Sequence, residues 1–134
     1  MLTLVRPHFT AVTPYFTAAD LPTLRRFMTE GLGAVLSYET TGAAGGRHTE
    51  WDFRGARIMF GVSAGGATTG WGMVFCYVDD VDALYASALT AGASAMIPPT
   101  DGEFDEERGA AFTDPWGNQW FLERHGPGSK HFAG

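Results

Sequence analysis

The stretch AAFTDPWGNQWFLERH, residues 110–125, carries the strongest indication of the fold. It predicts a strand, a tight turn and a second strand, because four residues that favour turns lie between two apolar runs. These turn residues are Asp114, Pro115, Gly117 and Asn118. Side chains alternate along a strand, so Phe121 lies on one face of the second strand and Trp120 on the other. One of these faces belongs to the core, and the other is free to line a site.

Composition limits the classes of partner. The chain has 134 residues, 45% of them hydrophobic, enough for a packed core, and its net charge is 9 − 15 = −6. Nucleic acids and anionic membranes are therefore not expected as partners. No apolar run approaches the length of a membrane span, and the N-terminus lacks the apolar centre of a signal peptide, so we expect a cytoplasmic protein. The single cysteine, Cys76, lies in the apolar run MVFCYV and is predicted to be a core thiol.

The sequence pattern predicts the same order in both halves of the chain: strand, helix, strand, strand, strand. The first half predicts a strand at 11–18, a helix capped by Asp20 and stopped by Gly31 and Gly33, a strand at 34–40, and a hairpin of 47–53 and 57–63. The second predicts a strand at 71–78, a helix begun by Asp79 or Asp80 and ended by Gly92, a short strand at 94–97 terminated by Pro98 and Pro99, and the quoted hairpin.

This repetition indicates an internal duplication. Asp20 matches Asp80 at an offset of 60 residues, and Asp52 and Gly55 match Asp114 and Gly117 at an offset of 62 residues. We expect two modules at residues 10–65 and 70–125, followed by a disordered tail at 126–134. The predicted fold class is α+β: two paired βαβββ modules whose curved mixed sheets surround a cleft.

Three phrases carry a resemblance to a known family: TPYFTAADLPTLRRFMTEGLGA, YVDDVDALYASALTAGASAMIPPTD and DPWGNQWFLE. In this order they resemble the vicinal oxygen chelate superfamily, which includes glyoxalase I, extradiol dioxygenases, fosfomycin-resistance enzymes and bleomycin-resistance proteins. The resemblance covers about residues 10–125. It implies paired modules around a cleft and, as in small single-chain relatives, a homodimer that pairs modules between subunits.

The resemblance also implies where a metal would be held. Metal enzymes of this family place His, Glu or Gln early in the first strand and in the last strand of each module. The corresponding residues here are Thr13, Met59, Met73 and Phe121. A thioether is a weak ligand for divalent metals and a phenyl ring is none. We therefore expect no metal, no cofactor and no catalytic residue at these positions.

Alternation along the strands predicts the lining of the cleft. The residues expected to bind a ligand are Thr13, Tyr15, His48, Glu50, Met59, Trp71, Met73, Phe75, Tyr77, Gln119 and Phe121. The intervening residues of the first hairpin are expected in the core: Trp51, Phe53, Ile58, Phe60 and Val62.

Three functions fit this pattern. The first is a non-catalytic, metal-independent protein that sequesters a planar or cationic small molecule in an aromatic cleft, resembling the bleomycin-resistance branch. The second is an enzyme, with or without metal, that uses a relocated site at His48 and Glu50. A surface ion pair on an edge strand is the simpler explanation of those two residues. The third is an assembly module that binds no ligand.

Overall fold

The computed structural model describes residues 5–42, 45–68, 70–102 and 107–127. The chain divides into two compact units, with the boundary between residues 69 and 70. Each unit contains one helical segment and one four-stranded mixed sheet. The predicted α+β class with two βαβββ modules is therefore confirmed.

The first module consists of four strands and a helix. Its elements are β1 (Tyr15–Ala18), α1 (Leu21–Arg26), β2 (Val35–Thr41), β3 (Arg47–Phe53) and β4 (Ala56–Val62). The strand order is β1-β4-β3-β2, with β1 parallel to β4 and the other pairs antiparallel. Strands β3 and β4 thus lie inside the sheet.

Strand β1 is shorter than predicted. It begins at Tyr15, so Thr13 lies before the strand, and its expected place in the strand was wrong. Pro14 has no N–H to donate to a ladder, although its carbonyl accepts the Met59 N–H at 2.9 Å. Regular pairing starts only after this proline.

Helix α1 begins as predicted, because the Asp20 carboxylate accepts a hydrogen bond from the Thr23 N–H at 2.8 Å. Beyond Arg26 the helix continues as a π-helical turn, Phe27–Gly31, which the sequence pattern did not reveal. Phe27 and Met28 of this turn are fully buried. Gly33, with φ +67°, ends the segment in the left-handed conformation that favours glycine.

The β3–β4 hairpin turns at Arg54 and Gly55, whose φ angles of 53° and 88° define a tight two-residue turn. Alternation along both strands directs one set of side chains into the core, as predicted. All five predicted core residues are buried: Trp51, Phe53, Ile58, Phe60 and Val62.

The second module repeats this arrangement. Its elements are β5 (Met73–Tyr77), α2 (Val81–Thr90), β6 (Ser94–Asp101), β7 (Arg108–Thr113) and β8 (Gln119–Arg124), in the sheet order β5-β8-β7-β6. Asp80 rather than Asp79 caps α2, since its side chain accepts the Ala83 N–H at 3.0 Å. Cys76 is buried, as expected of a core thiol.

Strand β6 does not stop at Pro98 and Pro99. It extends to Asp101, so the predicted termination at Ile97 was wrong. The pairing with β7 is irregular between Ile97 and Thr100, around the two prolines. Because β6 is an edge strand, its outer side needs no N–H donors, and proline is tolerated there.

The DPWGN turn is built on the buried carboxylate of Asp114. Its oxygens accept hydrogen bonds from the backbone N–H groups of Trp116 and Asn118, both at 2.9 Å, from Asn118 Nδ2 at 2.8 Å and from Trp120 Nε1 at 3.1 Å. Burial raises the pKa of Asp114, although these hydrogen bonds oppose that shift. The turn therefore joins β7 to β8 through one fixed acceptor.

The predictions of a disordered tail and of no membrane span can be compared only with the residues that the structure describes. Most of the predicted tail, residues 128–134, lies outside the described residues. Within the described residues, neither helical segment is long and apolar enough to cross a membrane.

Candidate functional site

The first module presents an open face, meaning the side of its sheet opposite the core residues. Strand register places Tyr15 and Glu50 on either side of Met59, and His48 opposite Gly61. Four of the residues predicted to bind a ligand are thus brought together on this first open face: Tyr15, His48, Glu50 and Met59.

Glu50 is buried, unlike a charged residue on an exposed edge strand. Strand β3 lies between β2 and β4, and the Glu50 side chain is only 2% exposed. The interpretation of His48 and Glu50 as a surface pair on an edge strand was therefore wrong. The interpretation failed because β3 pairs with β2 on one side and with β4 on the other, and such long-range pairing is not visible in the local sequence.

A network of charged hydrogen bonds surrounds Glu50. The two guanidinium NH groups of Arg6 each donate to one Glu50 oxygen at 2.8 Å, and His48 Nε2 lies 2.7 Å from Oε2. The hydrogen bonds from Arg6 lower the pKa of Glu50, burial opposes them, and His48 adds to the lowering. Glu50 is therefore a buried, ionised carboxylate.

Ionised Glu50 determines the roles of its neighbours. A carboxylate only accepts, so His48 Nε2 carries the proton that it donates. In a neutral imidazole Nδ1 then accepts, and the Tyr15 hydroxyl lies 3.3 Å from it. Tyr15, His48 and Glu50 form a hydrogen-bonded chain across β1 and β3.

No sequence pattern indicated that Arg6 and Phe9 belong to this face. The Arg6 guanidinium lies 4.5 Å from the centre of the Phe9 ring, and that of Arg57 lies 5.8 Å from it. Arg57 also lies 3.9 Å from Asp52, and its buried Nε has no hydrogen-bond partner among the described residues. The segment before β1 thus brings a cation and an aromatic ring to the first open face.

A depression of about 270 Å³ lies beside Tyr15 and His48. Gly42, Gly46 and Gly61 line part of it. A side chain at Gly61 would collide with Tyr15, because a Cβ there would lie 2.7 Å from the tyrosine oxygen. The glycine lets the tyrosine ring lie across β4.

The second module presents a different open face. Met73, Phe75 and Tyr77 of β5 lie beside Gln119, Phe121 and Glu123 of β8 in register. Phe75 is 55% exposed and Tyr77 68% exposed. The rings of Phe75 and Phe121 stack, with centres 4.9 Å apart and planes 19° apart. This second open face brings together five predicted ligand-binding residues: Met73, Phe75, Tyr77, Gln119 and Phe121.

The edges of this face are less regular. Trp71 is exposed and lies two residues before β5, so the predicted start of this strand at residue 71 was wrong. Tyr77 contacts His125 edge to face at 6.4 Å. An open depression of about 520 Å³ adjoins them, lined by Tyr77, Val78, Asp79, Arg124 and His125.

The donors for a metal are weak. Of the four positions that the resemblance assigned to metal ligands, three lie in strands and hold Met59, Met73 and Phe121, whereas Thr13 lies before β1. Within the part of the chain that the structure describes, no three His, Cys, Asp or Glu side chains are arranged to hold a metal ion. In particular, His48 and Glu50 have no third such neighbour among the residues that the structure describes. Metal independence stays a prediction.

Comparison with known families decides the classification. Residues 7–122 match the Glyoxalase/Bleomycin resistance protein/Dioxygenase superfamily. The chain belongs to this superfamily. The resemblance to the vicinal oxygen chelate group is thereby confirmed. Comparison with curated proteins gave no match.

Solved structures of the superfamily share the fold at low sequence identity. A glyoxalase-related enzyme from Fulvimarina pelagi is 17% identical with a TM-score of 0.69, over 93% of this chain and 99% of that one. TnmS3, an antibiotic binding protein from Streptomyces sp. CB03234, is 22% identical with a TM-score of 0.67, over 87% and 99%. Glyoxalase I from Zea mays is 18% identical with a TM-score of 0.72, over 85% of this chain but 44% of its own length.

Proposed function

We propose that this protein binds a flat small molecule on the second open face, without metal and without chemical conversion. The observation that carries the proposal is the exposed ring of Phe75, stacked on Phe121 at 4.9 Å and flanked by Met73 and Tyr77. Exposed apolar surface of this kind on a rigid sheet is typical of a binding site. A flat aromatic ligand would stack on Phe75 and gain apolar contact with its neighbours.

The charges near this face favour a cationic ligand. Glu123 lies opposite Tyr77 in register, whereas the adjoining depression is lined by one acidic and one basic residue, Asp79 and Arg124. The chain as a whole carries a formal charge of −6. A planar cation would be attracted to this face and could place its charged group beside Tyr77.

One relative supports the same class of function. TnmS3, which has this fold, is an antibiotic binding protein. We therefore propose sequestration of a planar drug or metabolite, with Gln119 available to orient its polar groups. Trp71, which lies just before β5, belongs to the proposed lining of this face, whereas Thr13 lies in the first module and does not.

A thermal-shift titration tests the proposal. The probes are proflavine, a planar cation, and acridone, a planar neutral compound of similar size. We expect stabilisation by proflavine, of about 2.7 kcal/mol at a concentration one hundred times its dissociation constant. The absence of binding by both probes would count against the aromatic face as a ligand site.

Metal analysis separates this proposal from a metal enzyme. We expect much less than one equivalent of zinc, nickel, manganese or iron after purification and dialysis. A metal content close to one per chain would contradict metal independence.

A second candidate is a metal-independent enzyme. The hydrogen-bonded chain Tyr15–His48–Glu50 favours it, because a tyrosine hydroxyl backed by His and an ionised carboxylate can exchange a proton with a bound molecule. Such activity would appear as deuterium exchange beside the carbonyl group of small ketones in heavy water. It should disappear in His48→Gln.

A homodimer is the proposed assembly. Apolar side chains of the edge strand β2 remain exposed in the single chain, among them Val35, Leu36 and Tyr38. Association across a two-fold axis would cover such surface. Sedimentation showing a monomer at micromolar concentration would exclude it. The cytoplasmic location stays a prediction from sequence.

A further inference from the structure

We propose that Glu50 forms a subsite for a guanidinium or amidinium group of an aromatic ligand, and that Arg6 of the chain itself occupies this subsite. The first open face would then take an external aryl cation in exchange for the Arg6 side chain. This site lies in the first module, and the proposal does not rest on the aromatic face of the second.

The two halves of the ion pair differ in how firmly they are held. Glu50 is 2% exposed and belongs to β3, which is paired on both sides, whereas the Arg6 side chain is 57% exposed. Residues 5–14, all of which the structure describes, contain neither strand nor helix. The acceptor is therefore preorganised and the donor is exchangeable.

The geometry around Glu50 fits a planar, forked cation. Arg6 uses two parallel N–H···O bonds of 2.8 Å, the arrangement that a guanidinium or amidinium group makes with a carboxylate. Phe9 stacks on the same guanidinium at 4.5 Å. A compound that joins an amidinium to an aromatic ring could replace both contacts.

The segment that supplies Arg6 is held at some cost. Between Arg6 and Phe9, the φ angle of His8 is 71°, a left-handed conformation that is unfavourable for a residue with a side chain. Only one backbone hydrogen bond is made within this turn, from Phe9 N–H to the Arg6 carbonyl at 3.0 Å. This conformational cost favours release of Arg6 when another cation is present.

The buried Glu50 carboxylate needs a cation beside it when Arg6 leaves. If Arg6 leaves, His48 is the only other side chain that donates to the Glu50 carboxylate among the contacts described. Arg57 on the same face lies against Asp52 at 3.9 Å and does not contact Glu50. A neutral ligand would leave the buried carboxylate without its strongest partner, which is unfavourable.

Benzamidine and its neutral isostere benzamide provide the test, by calorimetric titration of the full chain. In Arg6→Ala we expect the dissociation constant of benzamidine to fall by about tenfold, because the competing cation is removed. Glu50→Gln in the same background should abolish this binding. Arg26→Ala is the matched control, since Arg26 forms an exposed pair with Glu30 in the same module and should leave the affinity unchanged.

Three results would overturn the proposal: equal benzamidine affinity in the wild type and Arg6→Ala, retained affinity in the Glu50→Gln variant, or equal binding of benzamide. If a variant fails to fold, a measurement on the wild-type protein tests the proposal instead. On saturation with benzamidine, the Arg6 Nε–H resonance should move to the position of a solvent-exposed arginine, and an unmoved resonance would contradict exchange. Phe121→Ala should not affect benzamidine binding, which keeps the test separate from the proposed function.

Discussion

The two modules have the same topology, but the side chains on their open faces differ in chemistry. Register pairs His48 and Glu50 with Gly61 and Met59 in the first module. The corresponding positions of the second module hold Gly109 and Ala111, paired with Glu123 and Phe121. A buried ion-pair network thus stands in one module where small residues and a stacked phenylalanine stand in the other.

The side chains that determine the fold are those that the two modules share. On the opposite face, Ile58 and Phe60 of β4 and Trp120 and Leu122 of β8 are all buried. Burial of this face stabilises both sheets in the same way. The open face is then free to diverge, and the chemistry of each module lies there.

The largest expected effect concerns the turns of the two hairpins. Asp114→Asn should destabilise the protein by about 3 kcal/mol, because the new amide group opposes the donors of Asn118 and Trp120 in a buried site. Asp52→Asn is the matched change in the first module, where the carboxylate is half-buried and accepts from Gly55 N–H at 3.0 Å. It should cost about 0.5 kcal/mol or less. Urea unfolding measures both, and equal losses would contradict the assigned role of Asp114.

The next effect concerns ligand affinity. Phe121→Ala should weaken proflavine binding by about 2 kcal/mol, a factor of roughly thirty, because it removes the stacked support of Phe75. Met59→Ala, the same position in the first module, should leave the affinity unchanged. Calorimetric titration of both variants checks this. If Met59→Ala weakens binding equally, the ligand does not distinguish the two faces in the way we propose.

A smaller effect follows from the pKa of Glu50. This pKa is lowered from its ordinary value of 4.5, so ionised Glu50 stabilises the fold above that pH, and the contribution is lost as the pH falls through the lowered pKa. Glu50→Gln should therefore cost about 1 kcal/mol at neutral pH, a modest value because Arg6 is largely exposed. The difference from wild type should vanish in strong acid. Urea unfolding across this range checks it, and a difference that grows on acidification would show the opposite sign of shift.

The smallest effect is the coupling between the stacked rings. A double-mutant cycle with Phe75→Leu and Phe121→Leu should give a coupling of about 0.5–1 kcal/mol in the free energy of unfolding, because parallel aromatic rings in contact attract each other beyond their apolar area. Additive losses would mean that the 4.9 Å stack contributes nothing specific.

Much of the fold could be predicted from local pattern. Asp20 and Asp80 marked the starts of both helical segments, since a carboxylate before a run of helical periodicity caps the first turn. Alternation assigned Trp51, Phe53 and Phe60 to the core. The same alternation placed Phe75 and Phe121 on one face, because the period of two does not depend on the rest of the chain.

The sequence was a poorer guide to the extent and alignment of elements. The repeat paired Asp52 with Asp114, but Asp52 lies within β3, whereas Asp114 follows β7 and begins a longer turn. Pro98 and Pro99 were predicted to end the strand, but β6 continues through them because it is an edge strand. Turn length and edge position depend on which strands pair, and local propensity does not encode that pairing.

Sequence patterns alone were enough to identify the superfamily, the order of elements in the two modules and the residues that alternate on each open face. The folded chain was needed to show that β3 is an inner strand, that Glu50 is therefore buried, and that Arg6 forms an ion pair with it from a position 44 residues earlier in the chain. The physical reason is that periodicity and capping act within a few residues, whereas burial of a charge depends on contacts that the folded chain alone brings together.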